Sequence, residues 1–221
     1  MKYRYLSHPI EGSMPIYGGM AEIGLTLVRS IAKGDTSNVY KFSMESHWGT
    51  HVDAPRHFFI NGRSVADYPA GNWVFTSPKI IDIDLEASGI LREGKWIDKI
   101  KESTDIILFR AGWSRFRKTD KYMYDNPGIG PEVGLKLRRR FFNLRAVGID
   151  WISISPYRNR ELGRQTHKAF LDPGGENGPL LLVEDMDLSG EMTGLQSLII
   201  LPLIISGIDS APSTVLGVFN D

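Results

Sequence analysis

Three of the five histidines, His47, His51 and His57, fall within eleven residues, with Asp53 among them in the string HWGTHVDAPRH. Imidazole and carboxylate are the ligands that hold borderline divalent ions such as zinc, manganese, iron or nickel. A helix would bring His47 and His51 together but send Asp53 to the far side, and Gly49 with Pro55 disfavours a helix here. In an extended chain positions 47, 51, 53 and 57 all point one way. The Cα atoms of residues 51 and 53 then lie about 6.6 Å apart, comfortable for chelation, whereas 47 and 51 lie about 13 Å apart, too far to share an ion. A bend at Gly49 shortens that span, and glycine is the residue that permits one. The spacing predicts a bent strand whose inner face offers His47, His51 and Asp53 to a metal. Crowding such groups together without an ion would bring no structural return.

The surrounding pattern says what must position them. Ile23, Leu25 and Leu27 alternate, as do Tyr40, Phe42 and Met44, which reads as strand. Further strands are predicted over 79–85, 105–109 and 146–154, and three more over 180–183, 198–205 and 214–219. Pro131 opens a helix whose apolar positions are Val133, Leu137, Phe141 and Leu144. A second helix over 161–171 is stopped by Asp172-Pro173-Gly174-Gly175. No repeat or linker divides the 221 residues, so the expectation is one α/β domain over 1–221, a mixed β-sheet or half-barrel flanked by helices.

Composition removes several function classes. With no cysteine there can be no disulfide, thiolate zinc site, iron–sulfur cluster or cysteine nucleophile. Lys plus Arg and Asp plus Glu are 26 each, so a broad electrostatic hold on nucleic acid or an anionic membrane is not expected. The basic run Lys136, Arg138, Arg139, Arg140 reads as the solvated face of a helix. The greasiest stretch, 198–205, contains Pro202 and is far too short to span a bilayer, and the start MKYRYLSHPIEG lacks a signal peptide's apolar core. These features predict a soluble cytoplasmic protein.

The string HWGTHVDAPRHF resembles the signature of the metal-dependent cyclase-like hydrolases, the family of bacterial kynurenine formamidase: a histidine, Gly-Thr-His, Asp-x-Pro and a final His-Phe. MPIYGG at 14–19, ILFRAGW at 107–113, Gly148-Ile149-Asp150 with Ser153, and LPLIISGIDSAP at 201–212 resemble further segments of it. The resemblance implies the swivelling β/β/α fold of that family, a homodimer, and a place in tryptophan catabolism by the kynurenine pathway. It implies one or two divalent ions, zinc or manganese, with His167 and a glutamate completing the ligand set of His47, His51 and Asp53. Glu184, at the end of the apolar run LLLV, is favoured for the glutamate over Glu176, which sits in the apparent insertion DPGGENG. Tyr17 is implied at the border of the substrate pocket and His57 as general acid/base.

The expected reaction is hydrolysis of a C–N amide bond in a small, aromatic substrate, as in conversion of N-formylkynurenine to kynurenine and formate. Metal-activated water would attack and His57 would protonate the leaving amine. No G-x-S-x-G elbow supports a serine nucleophile. The alternatives are opening of a cyclic amide or lactone, as of isatin, and a non-catalytic metal-bearing binding protein.

Overall fold

A computed structural model describes residues 1–220. In chain order the strands are β1 (Lys2–Tyr5), β2 (Ser13–Ile16), β3 (Gly19–Glu22), β4 (Gly24–Arg29), β5 (Val39–Ser43), β6 (His51–Asp53), β7 (Val74–Phe75) and β8 (Pro78–Asp82). They continue with β9 (Ile90–Leu91), β10 (Ile106–Arg110), β11 (Gly128–Ile129), β12 (Ala146–Ile149), β13 (Leu181–Glu184), β14 (Leu195–Pro202) and β15 (Ser210–Phe219). The α-helices are α1 (Asp120–Tyr124), α2 (Pro131–Arg140) and α3 (Arg160–Leu171).

Nine strands form one mixed sheet in the order β7-β14-β15-β6-β13-β12-β10-β8, with β1 also paired to β15. β8, β10, β12 and β13 run parallel, and every other pairing in the sheet is antiparallel. The end strands of that order, β7 and β8, are joined through Thr76 and Ser77 alone, so the sheet must curl until its ends meet. The result is a nearly closed, barrel-like sheet, and the α/β expectation holds.

Local sequence explains the two halves. β10 and β12 are continuous apolar runs because both faces are buried. Ile106, Leu108, Ala146 and Val183 turn into the barrel with Val52, Leu198 and Val215. Ile107, Phe109, Val147 and Leu182 turn outward under Val133 and Leu137 of α2 and Phe170 of α3. β14 and β15 alternate instead, inward positions buried and outward ones partly or fully exposed, as expected of a sheet covered on one face only.

Several expectations shift. The strand predicted over 146–154 ends at Ile149, because Asp150 turns its carboxylate back to accept the amides of Ala111 and Gly112 at 2.8 and 2.7 Å. Trp151, Ile152 and Ile154 stay buried, but as loop. α2 stops at Arg140, leaving Phe141 and Leu144 in the core beyond its end. The basic run is not wholly solvated either. Arg138 is buried and donates to the carbonyls of Ala169, Asp172 and Glu176, tying the loop after α3 onto α2.

Candidate metal centre

β6 is only three residues long, yet it sits mid-sheet between β13 and β15, where Glu184 stands opposite His51 and Leu182 opposite Asp53. Directly opposed residues share a face, so His51, Asp53 and Glu184 project together on the outer, helix-covered side while Val52 enters the barrel. The predicted bend is present: Gly49 has φ +71°, and His47 lies in the turn before it rather than on the strand. That turn returns His47 Nδ1 to 3.0 Å from Asp53 Oδ1.

α3 delivers His167. Asn159 caps the helix by accepting the Leu162 amide, and Gly163 lets it settle onto the 153–155 loop, where a Cβ at that position would lie 2.0 Å from Ser155 Oγ. His167 Nε2 thereby comes within 3.6 Å of both Asp53 Oδ2 and Glu184 Oε1. His51 Nε2 is 3.5 Å from Asp53 Oδ1 and from Glu184 Oε2. Glu184 is oriented by the Ser153 hydroxyl at 3.1 Å and the Ile154 amide at 2.8 Å, both on Oε1.

Hydrogen-bond chemistry tests whether these groups suit a cation. His51 Nδ1 lies 2.7 Å from the Gly49 carbonyl and His167 Nδ1 lies 2.9 Å from the Gly163 carbonyl. A carbonyl only accepts, so in each neutral ring the proton is on Nδ1 and Nε2 presents a lone pair. Both lone pairs face carboxylate oxygens, an arrangement of acceptors alone. His51 Nε2 and both Asp53 oxygens are buried and take no hydrogen bond. Buried orphans of this kind are costly, and a divalent ion satisfies them all at once. The donor atoms fall into two sets that share Asp53, His51–Asp53–Glu184 and His47–Asp53–His57, each within 4.8 Å. The residues present therefore suit a divalent ion.

The electrostatics agree. Burial opposes protonation of His47 and His167, but Asp53 and Asp209 around the first, and Asp53 and Glu184 around the second, raise each to about 10. Burial also opposes ionisation of Asp53, yet His47 and His51 hold it well below the usual carboxylate range. The cluster demands positive charge, and protons supply it when no ion does.

His57 follows Pro55 in a single 3₁₀ turn and packs against His47, the rings tilted by 40° with centroids 4.2 Å apart. Its Nδ1 lies 2.9 Å from Asp209 Oδ2, the same oxygen that meets His47 Nε2 at 2.9 Å. Bonds from these two rings hold Asp209 far below the usual carboxylate range. Reading the sequence passed over Asp209 as a site residue, although it lies within the segment LPLIISGIDSAP; its signal was that position and not its residue type. Phe58 stacks on His167 at 5.0 Å. Tyr17, at the β2–β3 turn, packs on Tyr157 with its hydroxyl buried and unpartnered. Burial pushes its phenol up to about 12, against the pull of Arg160 and with the Glu184 charge adding to the rise.

Glu176 is elsewhere. It is exposed, pairs with Arg139 at 3.0 Å, and belongs to the loop that Arg138 ties to α2. The apparent insertion DPGGENG thus packs on that helix.

A barrel-like mixed sheet with His51, Asp53 and Glu184 on adjacent strands and His47, His57 and His167 around them defines a class. Residues 5–156 match the Cyclase family, described as "Putative cyclase", and the chain belongs to that family. It is similar to a kynurenine formamidase of Bacillus thuringiensis subsp. konkukian (strain 97-27), 28% identical over 210 residues, covering 94% of this chain and 92% of that one. It is also similar to cyclase-like protein 2 of Oryza sativa subsp. japonica, 26% identical over 219 residues, covering 94% of this chain and 75% of that one. The fold resembles isatin hydrolase A from Labrenzia aggregata bound to benzyl benzoate, with TM-score 0.79, 20% identity and coverage of 98% of this chain and 93% of that one. It likewise resembles a chain described as a potential metal-dependent hydrolase with cyclase activity, with TM-score 0.74, 22% identity and coverage of 100% and 98%.

Proposed function

We propose that the chain is a metal-dependent hydrolase that cleaves the C–N amide bond of a small aromatic substrate, an arylformamide such as N-formylkynurenine. The observation that carries this reading is the buried, acceptor-only convergence of His51 Nε2, His167 Nε2, Asp53 and Glu184, beside a histidine–aspartate pair. His51, Asp53, Glu184 and His167 would hold one ion or two, with His47 on the side nearer solvent. A divalent ion in this setting supplies Lewis acidity and lowers the pKa of water towards neutrality.

The chain's own residues do the rest. Asp209 accepts from His57 Nδ1, which fixes the tautomer and directs His57 Nε2 towards the reacting group. His57 Nε2 takes a proton from the attacking water and returns it to the departing nitrogen. Ser153 and the Ile154 amide keep Glu184 from rotating away. Tyr17 and Phe58 are the rings available to border the aromatic, amine-bearing part of the substrate. The relatives named kynurenine formamidase support the arylformamide reading. The same donor set also serves a cyclic amide, so isatin belongs in the substrate panel.

The test is metal analysis of the purified protein together with turnover of formylkynurenine, formanilide and isatin, for the parent and for His57→Ala. The parent should carry divalent metal and favour the open-chain formamides. His57→Ala should keep its metal and lose amide hydrolysis about 10²–10⁴-fold, the usual scale of a lost proton transfer. Activated esters, whose leaving groups need no proton, should be hurt far less. A metal-depleted His57→Ala would make His57 a ligand, and equal loss on amides and esters would remove its proton-donor role.

A further inference from the structure

α3 opens on a cation that has no counter-charge. Arg158, Arg160 and Arg164 cluster where the helix begins. Arg158 pairs with Asp125 and Arg164 with Glu161. Arg160, the first residue of the helix, is exposed and has no carboxylate partner among the described residues. Its guanidinium is nevertheless held in place, 4.4 Å from the centre of the Tyr157 ring and 5.8 Å from that of Tyr17. Tyr157 in turn is wedged. Its ring meets those of Tyr17 and Tyr124 at steep angles, with centroids 5.4 and 5.3 Å away, and a Cβ on Gly18 would come within 2.6 Å of it. A guanidinium resting on aromatic rings keeps its planar fork of donors free for an acceptor.

The same helix ties this cation to the candidate centre. From Arg160 to His167 is nearly two helical turns, so the two lie along one side of α3, about 10.5 Å apart along its axis. Gly163, one turn along, puts no side chain between them. Tyr17 reports on both ends of that span. Its hydroxyl is buried without a hydrogen-bond partner. Burial does most to raise its phenol, and of the charges acting on it Arg160 pulls down while Glu184 pushes up. One ring is thus within electrostatic reach of a metal-site carboxylate and of the free guanidinium.

We propose that Arg160 is a specificity-determining residue: it pairs with a carboxylate carried on a side arm of the aromatic amine whose amide is cleaved at the centre. This rests on the arylformamide reading and adds to it the anionic group that the substrate must bear. With Tyr17 bordering the aromatic part of the substrate, a substituent on that part extends towards Arg160. A flexible arm covers the two-turn span from the centre, and a carboxylate bonded directly to the ring would stop short of it. A carboxylate also matches a guanidinium in shape, accepting two parallel N–H bonds. An arylformamide without one offers Arg160 no partner and leaves its charge to water.

The test is formate release from N-formylkynurenine and from its α-carboxamide, which removes the negative charge and leaves the ring and formamide as they are. The metal-loaded parent should prefer the acid by about 10–100-fold in kcat/KM, the scale of hydrogen bonds to a charged group. The preference should lie chiefly in KM and shrink as salt rises. Arg160→Gln should bring the ratio of the two kcat/KM values close to one, and Arg160→Glu should reverse it. Arg158→Gln, which removes a guanidinium already paired with Asp125, should keep the parent's ratio. A parent that takes both compounds equally, or an Arg160→Gln variant whose ratio is unchanged, overturns the assignment of Arg160 and leaves the amide chemistry standing. A parent that releases formate from neither compound nor from formanilide overturns the arylformamide reading, and this assignment with it.

Discussion

Asp53 is the residue on which the site turns, since its two oxygens face His47, His51 and His167 from the centre of the sheet. Its role was legible because the relevant spacing is local: three ligand-type residues and a flexible glycine lie within one short string. His167 and Glu184 were not legible from spacing, because more than a hundred residues of barrel separate them from β6 in the chain. Only the resemblance implied them. The choice between the two glutamates can be tested directly. Glu184 faces His51 and His167, whereas Glu176 pairs with Arg139 on the surface. Glu184→Gln should lower metal content and cut turnover by at least 10²-fold, judged against the 10–100-fold expected even for residues one step removed from a metal. Glu176→Gln should change stability by less than about 0.5 kcal/mol, as exposed ion pairs do, and leave turnover alone. Metal titrations and steady-state rates on the two variants check both halves.

At the scale of elements, the clear signals were those with one periodicity and one environment. α3 begins one residue before its predicted start, and β14 and β15 differ from prediction only at their ends. The failures share a cause: an apolar run states that residues are buried and not which backbone buries them. Trp151, Ile152 and Ile154 are core residues on a loop because Asp150 must reach back to the turn after β10. β1 escaped notice because its outward tyrosines and charged neighbours carry no alternation of burial. Element packing also sets the site's precision. A methyl group at Gly163 would meet Ser155 Oγ at 2.0 Å and Ser155 Cα at 2.9 Å, forcing α3 off the loop that orients Glu184. Gly163→Ala should therefore destabilise by about 1–3 kcal/mol, the usual range for overpacking, and should weaken metal binding with it. Gly71→Ala, where a Cβ meets nothing within 4 Å, serves as the control. Thermal melts and metal titration of the two variants measure the effect.

Across the whole molecule, the centre joins β6 to α3 and β13, which lie more than a hundred residues further along the chain, so its charge state bears on global stability. His47 and His167 are raised to about 10 without an ion, against 6.5 for an unperturbed histidine. Their stabilising contribution is thus complete below pH 6.5 and fades as pH climbs through 10. Metal-free protein should melt at progressively lower temperature from pH 7 to 10. Metal-loaded protein should not follow that fall, so the stabilisation conferred by the ion widens with pH; calorimetry at pH 7, 8.5 and 9.5 reads this out. The sheet's seam carries a consequence of another sort. β7 and β8 close the barrel through Thr76 and Ser77, whose amides are clasped by the Asp105 carboxylate at 2.7 and 3.0 Å. Lys2 stands opposite Phe219 at the other end of the chain's course. The paths of β1 and β15 thus meet at Lys2 and Phe219, while the Thr76–Ser77 clasp shuts the sheet elsewhere. Cutting the chain at the clasp would hand the job of holding the barrel shut from a covalent tether to hydrogen bonds and packing.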